Sequence, residues 1–589
     1  MAVLRASIIF RVAFLAIGVV ACGAPPATES PARRLSSVPS AAPEASGHNE
    51  TPPRKGDRFA VASENETAVE VARALLERGG SATDAAVGGI LVACAAHPAS
   101  CGLGGGGSAL TWDATKKEAI IVDFRETAPG GIKRVDYVSK TPPKAKRGLL
   151  VGVPGFVAGL SELHRRGGKL PWATVVALAA NTVDEGIPLS PYMAQAFVWN
   201  AKWLLSDARA RSLGPADAGG RVGEKLKNPA LASALRSIAE RGATAFYTGP
   251  LADDLIESAH AAGSRIGHSD LQAYKAIVRT PVHATWGELD VFSAPPSSAA
   301  GITVLQLMAM FDRADLTSLE LASGSYVHAL AEGFRAANQD RTLYVGDPDF
   351  SRTDSSSLFD LEKMKTRRGK IKMNATVIPK VSSISESGTL HFVVVDEANN
   401  VVSLTASISG MFGSRIVTKG GYVLNDTLSE FNIDDYGMRP INKGPNFARG
   451  RARPVSSLVP TLVLERNEPV LALGASGGLR APTAVTQVLF AYFGFRRTLA
   501  EAVEAPRFHV ASSGALKLDE GLAGLAADLI ARGEIVDVKT PNFSSVVAIG
   551  LRREAGVRVL EPVFDPRKGG AVTTGKGDAA PPTTSAAKR

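Results

Sequence analysis

Ser385-Glu-Ser-Gly-Thr389-Leu-His391-Phe-Val-Val-Val-Asp396 holds the decisive reading of this chain. Gly388, small and flexible, precedes a threonine that opens a β-branched run, the pattern of a strand. If the Gly388–Thr389 peptide is cut, Thr389 becomes an N-terminus. It then carries a hydroxyl nucleophile and an amine base on one residue, a standard way to activate a weak hydroxyl. The same dipeptide also serves as a plain turn into a strand, and local sequence favours that reading. The rest of the chain decides between them.

Downstream, Leu390–Asp396 and Val401–Ser407 flank Glu397-Ala-Asn-Asn400 and predict a hairpin. Thr461–Glu465 and Val470–Leu473 form a second candidate pair, and Pro482–Phe493 reads as a helix stopped by Gly494. Upstream, Glu66–Gly79 has helical periodicity, and Ser81-Ala-Thr-Asp84 caps a second helix running to Ala96. Gly102-Leu-Gly-Gly-Gly-Gly107 formally matches GxGxxG. A dinucleotide site needs a strand before that loop and a helix after it. Here the helix comes first and a hairpin (Ser108–Trp112 with Ala119–Asp123) follows, so the nucleotide reading is rejected and the glycines are expected to let backbones pass close. Leu170 to about Met310 reads as largely helical. Leu361–Ser387 carries Lys363, Lys365, Arg367, Arg368, Lys370 and Lys372 and then serines, and is expected to be a solvated, mobile stretch ahead of Gly388. The tail from Lys568 is basic and rich in Gly, Thr, Ala and Pro, the composition of a frayed end.

The chain has 589 residues, which as a prior suggests about four domains. Its 45% hydrophobic and 21% charged content suits a large core and excludes a disordered protein. A net charge of +9 over this length is mild, and no aromatic-interleaved basic motif points to nucleic acid. Arg5 and Arg11 precede Val12-Ala-Phe-Leu-Ala-Ile-Gly-Val-Val-Ala21, an apolar run too short to span a bilayer, followed by Cys22. Residues 1–21 read as a signal peptide. Val19-Val-Ala-Cys22 resembles a bacterial lipobox with Cys22 lipidated, the plain signal peptide being the alternative. Residues 22–57, rich in Pro, Ala, Ser and Glu, read as a tether. The expectation is an exported bacterial lipoprotein, periplasmic or on the outer membrane. Cys94 and Cys101 are either a disulfide or two buried thiols.

Gly474-Ala-Ser476-Gly-Gly478 matches G-x-S-x-G and makes Ser476 the rival nucleophile. That reading needs an acid and then a histidine on separate loops. The sole histidine after Ser476 is His509, with Glu501 and Glu504 too near it in sequence. The other use of Gly477-Gly478 is as bare backbone N–H donors to a developing oxyanion. Arg125, in Asp123-Phe-Arg-Glu126, can grip a carboxylate in a fork or pair with Asp123 or Glu126. Ser456-Ser457, between prolines, suits a rigid oxyanion-binding loop or a turn. His391 lies on the Thr389 face of its strand and reads as a packed core histidine. The nine histidines contain no pair at metal-ligand spacing, and no metal or cofactor is expected.

Together, Gly79–Ala86, Gly102–Gly107, Asp123–Glu126, Val153-Pro-Gly155, Tyr344–Phe350, Gly388-Thr-Leu-His391, Pro454–Ser457 with Pro460-Thr461, Gly477-Gly478 and Ala505-Pro-Arg-Phe508 resemble the γ-glutamyltransferases (glutathione hydrolases). The resemblance covers about Phe59 to Arg567. It implies an N-terminal-nucleophile hydrolase with a four-layer αββα core. The precursor would cut itself before Thr389, leaving a large subunit (58–388) and a small catalytic subunit (389–589) as a heterodimer. Thr389 would attack a γ-glutamyl amide such as glutathione, with Gly477 and Gly478 holding the oxyanion. Water or an amino-acid acceptor would resolve the acyl-enzyme. Arg125, Ser456 and Ser457 would hold the donor's α-carboxylate, and Ser407 would stand for a supporting threonine. The α-amine side departs from the family pattern: Ser409 replaces Asn, Thr427 replaces Gln or Glu, and Glu430 replaces Asp. Leu390 replaces the usual Thr. The departures leave open a different acyl donor, cephalosporin-acylase-like or a γ-linked polymer, or a scaffold without catalysis. Tyr436–Arg453 spans the family's lid and carries Arg439, Lys443, Arg449, Arg451 and Arg453, expected to form a solvated loop or to favour an anionic partner.

Overall fold

The computed structural model describes residues 56–133, 144–352, 354–377, 388–432, 444–538 and 544–575. Two antiparallel sheets stand at its centre. The first runs, in spatial order, Ala571–Thr574, Ala60–Ser63, Thr389–Val395, Val401–Ser407, Gly106–Asp113, Glu118–Asp123 and Ile277–Arg279. The second runs Val557–Phe564, Val546–Glu554, Glu468–Ala475, Thr461–Glu465, Leu289–Ser293 and Val282–Trp286.

The Thr389–Val395 strand is buried along its whole length, and its parity assigns each side chain to a layer. Leu390, Phe392 and Val394 pack with the helices Glu66–Glu77 and Ala82–Ala96. Gly89 of the second helix has no Cβ because the Phe392 ring lies there; one would fall 2.3 Å from Phe392 Cζ. Val393 and Val395 face the other way, against Leu462, Leu464, Ala472, Val547 and Ile549 of the second sheet. That sheet is covered on its far side by Ala300–Met310, Gly324–Tyr344 and Arg480–Leu489. The order helix, sheet, sheet, helix is the expected αββα sandwich, in one body rather than four. Thr389 and His391 share the parity of Val393 and so point between the sheets. Burying Phe392 there contributes about 3 kcal/mol, and Phe392→Ala would cost about 3–5 kcal/mol.

Several local expectations hold. The helix from Ala82 to Ala96 carries a capping box between Ser81 and Asp84. All three predicted hairpins form. The glycine loop lets backbones approach: Cβ atoms on Gly104 and Gly105 would lie 2.2 Å and 2.3 Å from the carbonyl oxygens of Val423 and Ser407. Cys94 and Cys101 are bonded as a disulfide.

Others are corrected. Helices dominate from Trp172 to Ala273, but Ile277–Arg279, Val282–Trp286 and Leu289–Ser293 are strands. Pro281 and Pro295-Pro296 break the helical pattern there, and Gly287 at φ 64° turns the hairpin. Leu361–Gly369, expected to be mobile, is a helix capped by the Asp360 side chain. Arg367 pairs with Asp340, and Arg368 lies 4.9 Å over the Phe311 ring; residues 378–387 lie outside the described residues. The tail is not frayed at Lys568, because Ala571–Thr574 closes the first sheet's edge against Ala60–Ser63. Cys22, Arg439 and Lys443 lie outside the described residues.

Candidate active site

Thr389 opens its strand at the end where the polar side chains of two neighbouring strands collect between the sheets. Ser403, Thr405 and Ser407 pair across from Val393, His391 and Thr389. The Ser407 hydroxyl donates to the carbonyl oxygen of Gly388 at 2.6 Å and lies 3.3 Å from Thr389 Oγ1. One hydroxyl thus touches both sides of the Gly388–Thr389 peptide. Gly388 adopts φ 64°, and a Cβ there would meet the Ser409 carbonyl oxygen at 2.4 Å. Only glycine fits this conformation and this space. His391 is a core residue, as expected. Its Nδ1 is 2.9 Å from Thr405 Oγ1, its Nε2 is 3.2 Å from Ser403 Oγ, and burial pushes its pKa down to about 3.

Gly477 (φ 118°) and Gly478 (φ 61°) form the turn between Glu468–Ala475 and Arg480–Leu489. The Glu468–Ala475 strand packs directly on the Thr389–Val395 strand: a Cβ on Gly474 would fall 2.2 Å from His391 Cε1. The rival nucleophile fails on its partner. His509 Nδ1 meets Thr483 Oγ1 at 3.2 Å, whereas the Ser476 hydroxyl faces Lys568 Nζ at 3.4 Å.

A chain of bonds leads from Thr389 to the residues expected to hold the donor. The Ser409 backbone N–H donates to Ser407 Oγ at 2.9 Å, and Arg125 Nη1 reaches Ser409 Oγ at 3.4 Å. Arg125 is buried, not a surface residue. Its Nη1 lies 3.3 Å from Glu126 Oε2, and its Nε donates to the Pro454 carbonyl at 3.4 Å. Ser456 and Ser457 are held by a residue the sequence reading missed. Arg341 Nη1 donates to the Ser456 carbonyl at 2.9 Å and to Ser457 Oγ at 3.0 Å. Burial pushes the Arg341 guanidinium down to about 10, against the pull of Glu430 and with a push from Arg125. Its signal in sequence was slight, because it is one of three charged residues, with Arg335 and Asp340, that this helix buries.

The side expected to hold an ammonium differs in kind. Ser409 Oγ and Thr427 Oγ1 lie 2.9 Å apart, bonded to each other. Glu126 is buried; burial raises its pKa, against Arg125 and a bond from the Thr427 hydroxyl. Asp426, also missed, accepts from the Gly410 N–H at 2.7 Å, and burial pushes it up to about 7 with Glu430 adding to the rise. Arg453, expected in a solvated loop or in a lid favouring an anionic partner, is buried; its N–H donates to Asp347 Oδ2 at 2.7 Å and its guanidinium lies 5.9 Å over Tyr274. Among the described residues no group of His, Cys, Asp and Glu could hold a metal ion.

A threonine at the head of a central strand, facing between two sheets flanked by helices, defines an N-terminal-nucleophile hydrolase. The pattern of the family described as Gamma-glutamyltranspeptidase matches residues 68–575. The chain belongs to that family. It is 31% identical over 538 residues to the glutathione hydrolase proenzyme of Pseudomonas aeruginosa, covering 87% of this chain and 93% of that one. It is 30% identical over 476 residues to the glutathione hydrolase proenzyme of Escherichia coli, covering 78% and 82%. Among solved structures, cephalosporin acylase from Bacillus halodurans superposes with a TM-score of 0.79 over 92% of this chain and 99% of that chain, at 22% identity. The family assignment makes the chain an enzyme of the hydrolase and acyltransferase type, acting on γ-glutamyl or related acyl amides.

Proposed function

We propose that this chain is a self-processing threonine hydrolase and acyltransferase whose donor is the amide of a short dicarboxylic acid, without strict demand for an α-ammonium. The observation that carries the mechanism is Ser407, 2.6 Å from the Gly388 oxygen and 3.3 Å from Thr389 Oγ1. In maturation Thr389 Oγ attacks the Gly388 carbonyl, and the Ser407 hydroxyl stabilises the charge that develops on its oxygen. The C–N bond breaks, the hydroxyl proton passes to the Thr389 nitrogen, and an ester forms on Thr389 Oγ1. Water then hydrolyses the ester, leaving a Gly388 carboxylate and a free Thr389 amine. Both sheets hydrogen-bond strands from either side of the cut to one another, so the two pieces would stay together as a heterodimer.

In turnover the Thr389 amine takes the hydroxyl proton as Oγ attacks the donor amide. The N–H groups of Gly477 and Gly478 receive the oxyanion, and the proton passes to the leaving amine. Water or an acceptor amine then resolves the acyl-enzyme. Arg125 Nη2 makes no bond among the described residues and is free to grip the donor carboxylate beside Ser456 and Ser457.

The donor preference rests on Ser409 and Thr427. Two hydroxyls bonded to each other supply no fixed amide oxygens for an ammonium, so a glutaryl-type amide forfeits little by lacking one. An acylase named for cephalosporins shares the fold and lends the reading a precedent. A second reading, glutathione hydrolysis, is favoured by the carboxylates of Glu126, Asp426 and Glu430 near the same side and by the names of the relatives. Glutaryl- and γ-glutamyl-p-nitroanilide decide between them. The proposal expects a kcat/KM for the glutaryl compound equal to or above that for the γ-glutamyl one. A preference of more than about 100-fold for γ-glutamyl, the scale of about 3 kcal/mol, would hand the donor to the second reading. An uncut chain inert to both would leave a scaffold. Cys22 remains a proposed lipid anchor, tested by loss of fatty-acid labelling in Cys22→Ser.

A further inference from the structure

Lys568 and Glu64 belong to neither the donor pocket nor the family motifs named above, yet they meet beneath the nucleophile. Glu64 follows the strand Ala60–Ser63, which lies beside the nucleophile strand, with Ser63 paired to Phe392. Lys568 precedes Ala571–Thr574, the strand on the far side, with Ser63 paired to Ala571. The sheet edge therefore brings together residues about 500 positions apart in sequence. Both side chains are buried and form an ion pair. The Lys568 ammonium also donates to the main-chain carbonyl of Thr389 at 2.7 Å and lies 3.4 Å from Ser476 Oγ. The ammonium thus makes hydrogen bonds to two oxygens and an ion pair to a third group, Glu64. The ammonium further lies 4.7 Å from the Tyr192 ring centroid.

The neighbours suit a fixed cation. His97, at the end of the helix Ala82–Ala96, is held neutral near a pKa of about 3 by burial, with the Lys568 charge adding to the effect. Asp565, the next carboxylate along the chain, is engaged by Arg507 and Arg567. Burial raises the Glu64 carboxyl, and Lys568 is the chief influence drawing it down. A lone carboxylate or a lone ammonium at this depth would be costly.

The two oxygens that Lys568 joins define the reaction centre. One is the carbonyl of the nucleophile residue itself. The other belongs to the residue immediately before Gly477 and Gly478. We propose that Lys568, held by Glu64, is a positioning residue that fixes the distance between the Thr389 nucleophile and the Gly477–Gly478 turn. The inference rests on the assignment of Thr389 as nucleophile and of those glycines as oxyanion donors. A displacement of about 1 Å between attacking group and acceptor site costs on the order of 100-fold in rate. Ground-state binding depends on Arg125 and the Ser456–Ser457 loop, which Lys568 does not touch.

The test compares wild type, Lys568→Met, Lys568→Arg and the double variant Lys568→Met with Glu64→Gln, each followed by melting temperature, self-processing, kcat and KM on whichever anilide the wild type turns over. Lys568→Met is expected to melt lower, because it strands a buried carboxylate, and to lose about 100-fold in kcat with KM changed by less than about threefold. Lys568→Arg is expected to recover part of kcat. The double variant removes both charges, so it is expected to regain melting temperature but not kcat. Recovery of kcat together with melting temperature in the double variant would overturn the proposal and leave the pair a stability element. So would a KM increase that carries the whole loss. Thr389→Ala separates the two levels. If it retains turnover, the nucleophile assignment fails. If it is inactive while Lys568→Met keeps full kcat, only the positioning role fails.

Discussion

At the nucleophile end, Gly388, Thr389, Ser407 and the Ser409 N–H are joined by contacts of 2.6, 3.3 and 2.9 Å, in a strand whose other face is locked into the helical layer by Phe392. At the donor end, the carboxylate side has equivalent order: Arg341 pins the Ser456–Ser457 loop, and Arg125 is buried against it. The ammonium side does not. Its two hydroxyls bond each other, and its carboxylates already face partners, Glu126 with Arg125 and Glu430 near Arg341. On the proposed roles, attack geometry and carboxylate recognition would rest on bonds the protein makes before any substrate arrives. Ammonium recognition would require those bonds to rearrange. On the proposed roles, that difference makes mechanism and donor preference separable in this chain.

The largest expected effect breaks the ordered end. Ser407→Ala removes the donor to the Gly388 oxygen and should slow self-processing by about 10²–10³-fold, followed as the disappearance of the full-length band over time. Processing at the wild-type rate would move the oxyanion role elsewhere. Next, Arg125→Lys keeps a charge beside Glu126 but loses the planar fork. It should lower kcat/KM on carboxylate-bearing anilides by about 10–100-fold, chiefly in KM, and leave maturation intact. An unchanged KM would place the donor carboxylate elsewhere.

A third change sharpens the comparison from its weak side. Ser409→Asn with Thr427→Gln restores amide groups where the pair of hydroxyls now stands. It should raise the ratio of γ-glutamyl to glutaryl turnover by about tenfold. No change in that ratio would mean the departures do not set preference. The smallest effect concerns Asp426, whose pKa of about 7 lies above the usual carboxylate value because of burial. The folded state therefore holds a proton that the unfolded state releases between about pH 4 and pH 7, and stability falls as pH rises through that window. Asp426→Asn keeps the acceptor for the Gly410 N–H, so it should raise Tm by about 1–3 °C at pH 8 and leave it unchanged at pH 4. A stabilisation confined to pH 4 would reverse the sign and refute the assignment.

What could be read in advance followed the same division. Gly388-Thr389, the hairpin behind it and the Ser81 cap are local patterns, and local patterns survive in sequence. Arg125 and Ser456 were legible because a special residue type sits in a short, rigid motif. Arg341, Asp426, Glu64 and Lys568 were not, since their meaning comes from partners far away in the chain. Lys568 is the sharpest case: by composition it begins a loose tail, and by topology it precedes the strand that closes a sheet edge. The short strands Val282–Trp286 and Leu289–Ser293 were hidden for a related reason. Five residues carry too little periodicity to stand out beside long helices, and the pairing of Leu289–Ser293 with Thr461–Glu465 lies far along the chain.

The central claim is that this chain makes its own catalytic N-terminus at Thr389. Intact mass and N-terminal sequencing of purified wild type and Thr389→Ala test it most directly. The account predicts two wild-type fragments, the second beginning Thr-Leu-His, and a single uncut chain for Thr389→Ala. A wild type that stays whole, or a Thr389→Ala variant that still yields the same two fragments, would contradict it.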